Sequence, residues 1–398
     1  MPAHDGTMGQ TVSIYLDYNA TSPISSEVLE AMVQAQDPAI GNASSVHRFG
    51  QRARALVDDA RSSVAALLEA DADEIVFTSG GTEAINLSLR GAFDTLAAAG
   101  RKRIVVSAIE HEAVLNTARA LASRGADVVV IQAGADGVVQ AADMAAAITR
   151  DTAIVSLMLA NNEIGTIQPV AEVARLCREL GVLFHTDAVQ GAGKIPVSVR
   201  DLGVDLLSIS GHKFGGPKGV GALYVRRATR VTAQATGGRQ ERNRRAGTEN
   251  VPGLAGLGVA ARLVRESVAR GVSISEKRDR LERSILKAVA GTAVNGGGAP
   301  RVPNTTNISF DGVEAESLLI ALDLEGIAVS TGSACSSGSL EPSHVLRGMG
   351  LPHARARNSI RFSLGASTTD GEIDLVVSRV PDLVAKLRRI GKPMEAVR

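Results

Sequence analysis

A lysine stands in a glycine-rich turn directly after a stretch with the composition of a buried strand. The stretch from Leu207 to Gly221 reads LSISGHKFGGPKGVG and contains Ser210, His212 and Lys213. The amine of a lysine is protonated in water, so it becomes a nucleophile only where burial or a nearby cation lowers its pKa. A turn at the end of a buried strand can provide that burial and present the amine to a cleft. Taken alone, the stretch fits a solvated surface loop equally well.

An anion site is indicated where a second strand ends in small and hydroxyl residues. The segment from Ile75 to Glu83 reads IVFTSGGTE and ends its strand in a turn that includes Gly81 and Thr82. Glycine lets the N–H groups of a helix N-terminus approach an anion, and Thr82 adds a hydroxyl group. The segment lacks the Gly-Lys-Ser/Thr ending of a P-loop and does not match G-x-G-x-x-G. It suits a phosphate, and an ordinary strand–helix turn is the alternative.

A carboxylate follows a third buried strand. The segment from Val182 to Gln190 reads VLFHTDAVQ and carries Asp187, whose burial is costly unless a partner neutralises it. In open α/β sheets, ligands bind at the carboxyl ends of the strands. A lysine that forms an imine, an aspartate that keeps a ring nitrogen protonated and a phosphate-binding turn together describe a site for pyridoxal 5'-phosphate (PLP).

The histidines divide into several groups. We expect His111 to lie at the same edge of the sheet, where its imidazole can stack on a flat ring. His185 precedes Asp187 by two residues on a strand, which favours a packing or orienting role over a catalytic one. His4 and His353 are interpreted as surface residues. For His47 and His344, physical arguments do not decide between the roles.

The two cysteines lie in different surroundings. Cys177 shares one apolar helix face with Val173 and Leu180, which predicts a core residue. Cys335 lies within STGSACSSG, a run of small residues without a hydrophobic anchor. A thiol on such a loop is exposed and mobile, which suits a nucleophile that must travel. An incidental surface cysteine is the alternative.

Arg361 lies on a predicted strand that reads SIRFSLG. Alternation places Ile360 and Phe362 on one face of the strand and Arg361 on the polar face. A guanidinium there can bind a carboxylate through two hydrogen bonds. A surface salt bridge accounts for the residue equally well.

Composition limits the classes of function. The formal net charge of the 398-residue chain is +1, aromatic residues make up 3% and tryptophan is absent. These values argue against a nucleic acid or a membrane as a partner. Two cysteines form no disulfide framework, and the opening MPAHDGTMGQ does not resemble a secretory signal, so we expect a cytoplasmic location. No metal site is expected.

Strands alternate with helices along most of the chain. Between residues 24 and 265 this alternation predicts a mostly parallel sheet covered by helices on both faces, in one large α/β domain. The glycine-rich segment Gly253–Gly258 then marks a change of style, followed by a long charged helix from Leu263 to about Ala290.

The remainder of the chain predicts a smaller α+β domain. We expect it to combine residues 12–23 with residues 266–398 and to carry the Cys335 loop, residues 1–11 being a flexible tail. Its predicted elements are hairpin-like segments Asn304–Phe310 and Ile327–Ser330, a strand Ser359–Leu364 and a final helix from about Thr369 to Arg389.

A series of motifs resembles those of the cysteine desulfurases of the NifS/IscS type, which belong to the class V aminotransferase group of PLP enzymes. The similarity runs from Tyr15 to about Val377 and implies the α/β architecture of PLP fold type I. The motifs, in order, are YLDYNAT, GNASSVHRFG, FTSGGTEA, EHEAVL, NNEIGT, HTDAVQ, SGHKFGGPKGVGALYVRR, QERNRRAGTEN, STGSACSSGSLEPSHVLRGMG and SIRFSLG.

The resemblance assigns roles at matching positions. It implies that Lys213 forms the imine with PLP, Asp187 holds the ring nitrogen, Gln190 bonds the ring hydroxyl and His111 stacks on the ring. Phosphate contacts are implied for five further residues: Gly81, Thr82, Ser210, His212 and Thr248. Of these, Thr248 is implied to come from the second subunit of a homodimer.

The resemblance also implies the substrate and the reaction. Asn162 and Arg361 match the residues that bind the substrate carboxylate, and Cys335 matches the nucleophile. L-cysteine is then converted to L-alanine, and its sulfur is held as a persulfide on Cys335. In this family the sulfur typically passes to an iron–sulfur scaffold protein.

The chain departs from the family pattern at three small hydroxyl residues, Ser22, Thr331 and Ser336. These exchanges alter little chemistry. The motifs QERNRRAGTEN and GSLEPSHVL resemble the nitrogen-fixation member slightly more. Alternatives are a selenocysteine lyase, an aminotransferase, which would not need Cys335, and a non-catalytic sulfur-relay protein.

Overall fold

The computed structural model describes residues 13–268, 271–332 and 342–390, which form twelve strands and thirteen α-helices. The strands are β1 (Ile14–Tyr15), β2 (Ile75–Thr78), β3 (Arg103–Ser107), β4 (Asp127–Ile131), β5 (Thr152–Ser156), β6 (Leu183–Asp187), β7 (Leu206–Ser210), β8 (Gly221–Val225), β9 (Thr292–Val294), β10 (Thr305–Phe310), β11 (Ile327–Ala328) and β12 (Ser359–Ser363).

The helices connect and cover these strands. They are α1 (Ser26–Gln34), α2 (Arg48–Leu68), α3 (Gly81–Leu96), α4 (Glu112–Ala122), α5 (Ala141–Ala147), α6 (Val170–Glu179), α7 (Val199–Leu202), α8 (Val251–Ser267), α9 (Gly271–Ala288), α10 (Ala315–Leu324), α11 (His344–Gly348), α12 (His353–Arg357) and α13 (Asp370–Ile390). In the described ranges no helix combines the length and the apolar character needed to cross a membrane.

A seven-stranded sheet lies at the centre, in the order β2-β8-β7-β6-β5-β3-β4. Strand β8 is antiparallel to both of its neighbours, and all other neighbouring strands are parallel. The prediction of a mostly parallel sheet is therefore confirmed. Because the parallel strands all end at one edge, the residues that follow β3, β5, β6 and β7 are brought to the same place.

Both faces of this sheet are covered. Side chains on a strand alternate between faces, so Val105 packs into a core with α2, α6 and α8, while Ile104 and Val106 pack against α3 and α4. This double coverage explains why the central strands are continuous apolar runs.

A second core contains the beginning and the last third of the chain. Strand β10 lies between β9 and β12 in an antiparallel sheet, and β1 pairs in parallel with β11. Ile14 and Leu16 are fully buried in this core together with Phe310 and Phe362. From β1 in the second core, residues 17–25 then pass toward the edge of the large sheet.

Two expectations about the elements are wrong. The segment Gly253–Gly258 lies inside α8, and Leu263 falls in the middle of that helix instead of beginning the next one. Glycine is needed in this helix because α2 packs closely against it: a Cβ on Gly258 would lie 2.8 Å from Cα of Ala60 in α2. Glycine allows this close approach of two helices.

The predicted hairpin is also wrong. Strand β10 pairs with β9 and β12, whereas β11 pairs with β1. The apolar run between β10 and β11 forms the helix α10, whose Leu318 and Leu322 are buried. A helix between two strands separates them, so they find other partners.

We predict opposite effects of alanine at two helical glycines. Gly258→Ala should lower the free energy of unfolding by about 1–3 kcal/mol, because its Cβ meets the backbone of Ala60. Gly371→Ala in α13 should raise it by about 0.5–1 kcal/mol, because a Cβ there meets no atom within 4 Å. Thermal unfolding of both variants measures this, and equal midpoints for the two would contradict the packing argument.

Candidate active site

Lys213 lies directly after β7, in a single helical turn formed by Gly211–Lys213. Its Nζ donates hydrogen bonds to the main-chain oxygens of Asn19 at 2.8 Å and Ala20 at 2.9 Å. Ser22 secures the same turn, since its Oγ donates to the oxygen of Lys213 at 3.0 Å. The segment that arrives from the second core thus crosses the lysine and holds its amine at the edge of the sheet.

Asp187 ends the neighbouring strand β6 and is buried. Its Oδ1 accepts a hydrogen bond from the N–H of Val189 at 2.9 Å. Burial raises the pKa of this carboxyl, and the nearby His111 opposes that shift. A positively charged group bound beside Asp187 would favour the ionised form, because attraction between opposite charges is strong in a buried site.

His111 caps the N-terminus of α4. Its Nδ1 accepts a hydrogen bond from the N–H of Ala113 at 3.0 Å, which leaves the proton of the neutral ring on Nε2. Burial lowers the pKa of His111, and the negative charge of Asp187 opposes this. The structure therefore places a flat, neutral imidazole near Asp187, as stacking on a ring requires.

His185 belongs to the sheet and not to the cleft. It is fully buried, and its ring nitrogens contact Ser156 at 2.8 Å and Ser208 at 2.9 Å on the adjoining strands. Burial lowers its pKa to about 3, so the ring is neutral. The expectation of a packing role agrees with these contacts.

The undecided histidines have structural contacts, and His4 lies outside the described residues. His47 caps α2. His344 donates from Nε2 to the oxygen of Glu110 at 2.8 Å, which ties α11 to the turn before His111. His353 is exposed, as expected.

Four of the five residues expected to contact a phosphate, Gly81, Thr82, Ser210 and His212, lie around the N-terminus of α3. A cavity of about 380 Å³ is lined by Ser79 to Glu83, Ser210, His212 and neighbouring residues. The first N–H groups of a helix have no partner within the helix and favour an anion. His212 contacts Thr21 Oγ1 through Nδ1 at 3.2 Å, and burial lowers its pKa to about 4.

Gln190 and Thr248 differ in position. Gln190 is buried beside Asp187, and its Nε2 donates to the oxygen of Asn19 at 3.0 Å. Thr248 is exposed and lines a separate cavity that shares Ser79 with the phosphate site. Its donation to a second subunit stays a prediction.

Arg361 is buried and contacts Asn162, which is half-buried. Arg361 Nη1 donates to the main-chain oxygen of Asn162 at 3.0 Å, and Nη2 donates to Asp17 Oδ1 at 2.6 Å. Because Arg361 is only 3% exposed, it does not form a surface salt bridge. Within the described ranges, Nε of Arg361 and Oδ1 of Asn162 are buried without a hydrogen-bond partner. The N–H at Nε of Arg361 can donate to an anionic ligand, whereas Oδ1 of Asn162 needs a ligand that donates to it.

The two cysteines differ in their surroundings. Cys177 is fully buried in the first core, as predicted, and burial raises the pKa of its thiol to about 12. A thiol of this kind is inert. Cys335 lies outside the described residues, so its role stays an expectation from the sequence.

Glu110, which the sequence did not indicate as a site residue, is fully buried next to His111. Its Oε1 accepts from Ser107 Oγ at 2.7 Å and from the N–H of Met158 at 2.8 Å. Burial raises the pKa of this carboxyl to about 8, and Asp187 adds to the shift. The motif EHEAVL contained Glu110, but no neighbour in the sequence indicates burial.

The residues present fit PLP. A Cβ on Gly81 would lie 2.8 Å from Val189 Cγ2, so glycine keeps space open where the phosphate turn meets the strand end that carries Asp187. The helix N-terminus suits the phosphate, the buried carboxyl of Asp187 suits the ring nitrogen and the amine of Lys213 suits the aldehyde. The chemistry of these donors matches the three ends of one cofactor.

The class of protein follows from comparison with known families. Residues 14–376 match the family model described as aminotransferase class V, and the chain belongs to this family. It is a PLP-dependent enzyme of fold type I.

Within this family, the chain is similar to proteins named cysteine desulfurase. The chain is 46% identical over 378 residues to a protein of Dictyoglomus turgidum named cysteine desulfurase IscS, with 95% of this chain and 96% of that protein covered. It is 47% identical to a cysteine desulfurase of Trichormus azollae, with 95% and 94% covered. A solved structure named NifS-like protein superimposes with a TM-score of 0.87 at 35% identity, covering 94% of this chain and all of that one.

The buried carboxyl of Glu110 predicts a pH-dependent stability. Its pKa is raised from 4.5 to about 8, so the folded protein keeps a proton that the unfolded chain has released. This contribution is favourable to folding only at low pH and is lost as pH rises from about 4.5 to about 8. Glu110→Gln, which keeps the oxygen acceptor, should flatten the decline of the unfolding midpoint across that range.

The control for this experiment is Glu30→Gln, a substitution of the same kind at an exposed position of α1. It should leave the pH dependence as in the wild type. If Glu110→Gln and Glu30→Gln give the same profile, Glu110 ionises normally in the folded protein.

Proposed function

We propose that this chain is a cysteine desulfurase that converts L-cysteine to L-alanine and keeps the sulfur as a persulfide on Cys335. The observation that carries the proposal is the buried guanidinium of Arg361, whose Nε has no hydrogen-bond partner among the described residues and can donate to an amino-acid carboxylate. Relatives named cysteine desulfurase cover almost the whole chain and support the choice of substrate.

The chain's own residues would hold PLP at three points. The N-terminus of α3 with Ser210 and His212 would bind the phosphate, Asp187 the ring nitrogen and Gln190 the ring hydroxyl. When bound, PLP supplies an electron-accepting ring that eases loss of the α-proton of an amino acid. Asp187 holds a proton at the ring nitrogen, and His111 covers one face of the ring and excludes water.

The orientation of the substrate depends on Arg361 and Asn162, which together are called the clamp. Arg361 binds the α-carboxylate, and Asn162 completes the contact. With the carboxylate fixed, the α-carbon faces Lys213, whose amine takes the α-proton and later returns a proton to the product. Holding the reacting atoms in this geometry contributes directly to the rate.

Cys335 carries the sulfur chemistry in this proposal. Its thiolate attacks the sulfur of L-cysteine, an S–S bond forms and the C–S bond of the substrate breaks. The electron pair of the broken bond stays with the three-carbon fragment, which takes up protons and leaves as L-alanine. The persulfide sulfur then passes to a thiol acceptor, for which an iron–sulfur scaffold protein is the expected partner.

A homodimer is part of the proposal. Thr248 is exposed, so it is available to the phosphate site of a second copy. Large apolar side chains are also exposed on α1, just before α2 and in the first turn of α2, which suits a protein interface; they are Leu29, Val33, Val46 and Phe49. A cytoplasmic location stays an expectation from the sequence.

The decisive test is L-alanine formation from L-cysteine, with and without a thiol reductant. Cys335→Ala should lower the rate at least about 100-fold while PLP still binds, because the nucleophile alone is lost. Cys177→Ala is the matched control and should keep turnover, since Cys177 is buried in the core. Unchanged alanine formation in Cys335→Ala would replace the desulfurase with a lyase.

Arg361→Lys tests the carboxylate clamp. Lysine keeps the charge but loses the paired N–H groups, so KM for L-cysteine should rise about tenfold or more. The control is Arg301→Lys, which alters a buried ion pair with Glu282 in the second core. It should lower the unfolding midpoint and leave KM unchanged, and a KM shift equal to that of Arg361→Lys would argue against the clamp.

A further inference from the structure

Asn19 lies between the two halves of the candidate site and is 1% exposed. It belongs to the segment that crosses Lys213, after β1 and before α1. Both of its main-chain polar groups and both polar atoms of its side chain form hydrogen bonds. Nothing in the sequence distinguishes it from an ordinary turn asparagine.

One side of Asn19 faces the cofactor residues. Its main-chain oxygen accepts from Lys213 Nζ at 2.8 Å and from Gln190 Nε2 at 3.0 Å. Its Oδ1 accepts from Lys194 Nζ at 2.7 Å, and the same amine contacts Gln190 Oε1. Lys213, Gln190 and Lys194 are therefore all held on this single residue.

The other side of Asn19 faces the substrate clamp. Its Nδ2 donates to the main-chain oxygen of Asn162 at 3.0 Å, the same oxygen that accepts from Arg361 Nη1. Arg361 also bonds Asp17, two residues earlier on the same segment. The segment that holds Lys213 therefore also fixes the position of the clamp.

Residues of the second core complete the arrangement. Asn19 Nδ2 donates to Thr305 Oγ1 at 2.9 Å, and Asn304 Nδ2 donates to Asn19 Oδ1 at 3.1 Å. Its main-chain N–H donates to Ser363 Oγ at 3.0 Å. Asn19 is consequently anchored to both cores and has no freedom to follow one side alone.

We propose that Asn19 is a positioning residue that fixes the substrate clamp of Asn162 and Arg361 relative to the amine of Lys213. The inference rests on the proposed function, because it assigns a distance that matters only if Lys213 takes a proton from a substrate held by Arg361. Its role is exerted through other residues, since its polar atoms are already occupied by protein groups. Proton transfer tolerates little displacement of the reacting atoms, so a loosened clamp slows that step.

The test uses the PLP-loaded enzyme and L-cysteine with hydrogen or deuterium at the α-carbon. Asn19→Ala should lower kcat at least about tenfold and increase the deuterium isotope effect, because a misplaced α-proton makes its transfer slower than the other steps. Binding of L-alanine, followed through the visible absorbance of the bound cofactor, should weaken in parallel. This last readout does not depend on turnover.

Asn295→Ala is the matched control. Asn295 is also 1% exposed, and its side chain forms three hydrogen bonds within the second core, to Asn307, Ser359 and Arg355. It should lower the unfolding midpoint and leave the isotope effect unchanged. If Asn19→Ala behaves in the same way, Asn19 serves stability alone and the inference is overturned.

Asn19→Asp provides a second variant if the alanine protein does not fold. It keeps the acceptor for Lys194 and Asn304 but loses the donor to Asn162, so the isotope effect should again rise. An isotope effect equal to that of the wild type would overturn the inference. Absence of alanine formation by the wild type would instead refute the proposed function, which separates the two failures.

Discussion

Two main-chain oxygens hold the amine of Lys213, and both belong to the segment that leaves the second core. This constraint connects the site to the rest of the molecule. The lysine depends on the segment for its position, and the segment depends on β1 pairing with β11 and on Asn19 bonding Thr305. A main-chain oxygen cannot be changed by substitution at its own position, so the contact withstands variation of the side chains.

Burial determines the charge state around Asp187. It lowers the pKa of His111 and of His185 and raises the pKa of Glu110, so each of these groups favours its neutral form. Neutral side chains weaken the field of a nearby charge only slightly. A charge that a ligand brings to this edge therefore interacts mainly with Asp187, in surroundings of low effective dielectric constant.

The parts of the fold that depend on local patterns were predictable. Apolar strands alternating with helices indicated the parallel sheet, and the same pattern indicated that Asp187 and Lys213 lie at the ends of strands. The glycines of α8 suggested the end of a domain. Gly258 is instead required by its contact with the backbone of Ala60, which is distant in the sequence. Glu110 and Asn19 were missed for the same reason: their burial and partners come from distant segments, and only the family motifs placed Arg361 beside Asn162.

The pairing of the first strand with the last third of the chain has a consequence for biosynthesis. Asn19 bonds Ser363, a residue 344 positions later, so the segment over Lys213 cannot be anchored until the chain is nearly complete. All seven strands of the large sheet, by contrast, lie before residue 226 and are synthesised earlier. Contacts between such distant residues form slowly, and domains tend to fold as units from the N-terminal side during synthesis. A nascent chain would therefore contain every strand of the large sheet before its lysine site could be assembled, and the reactive amine would be set in place only with the final strands.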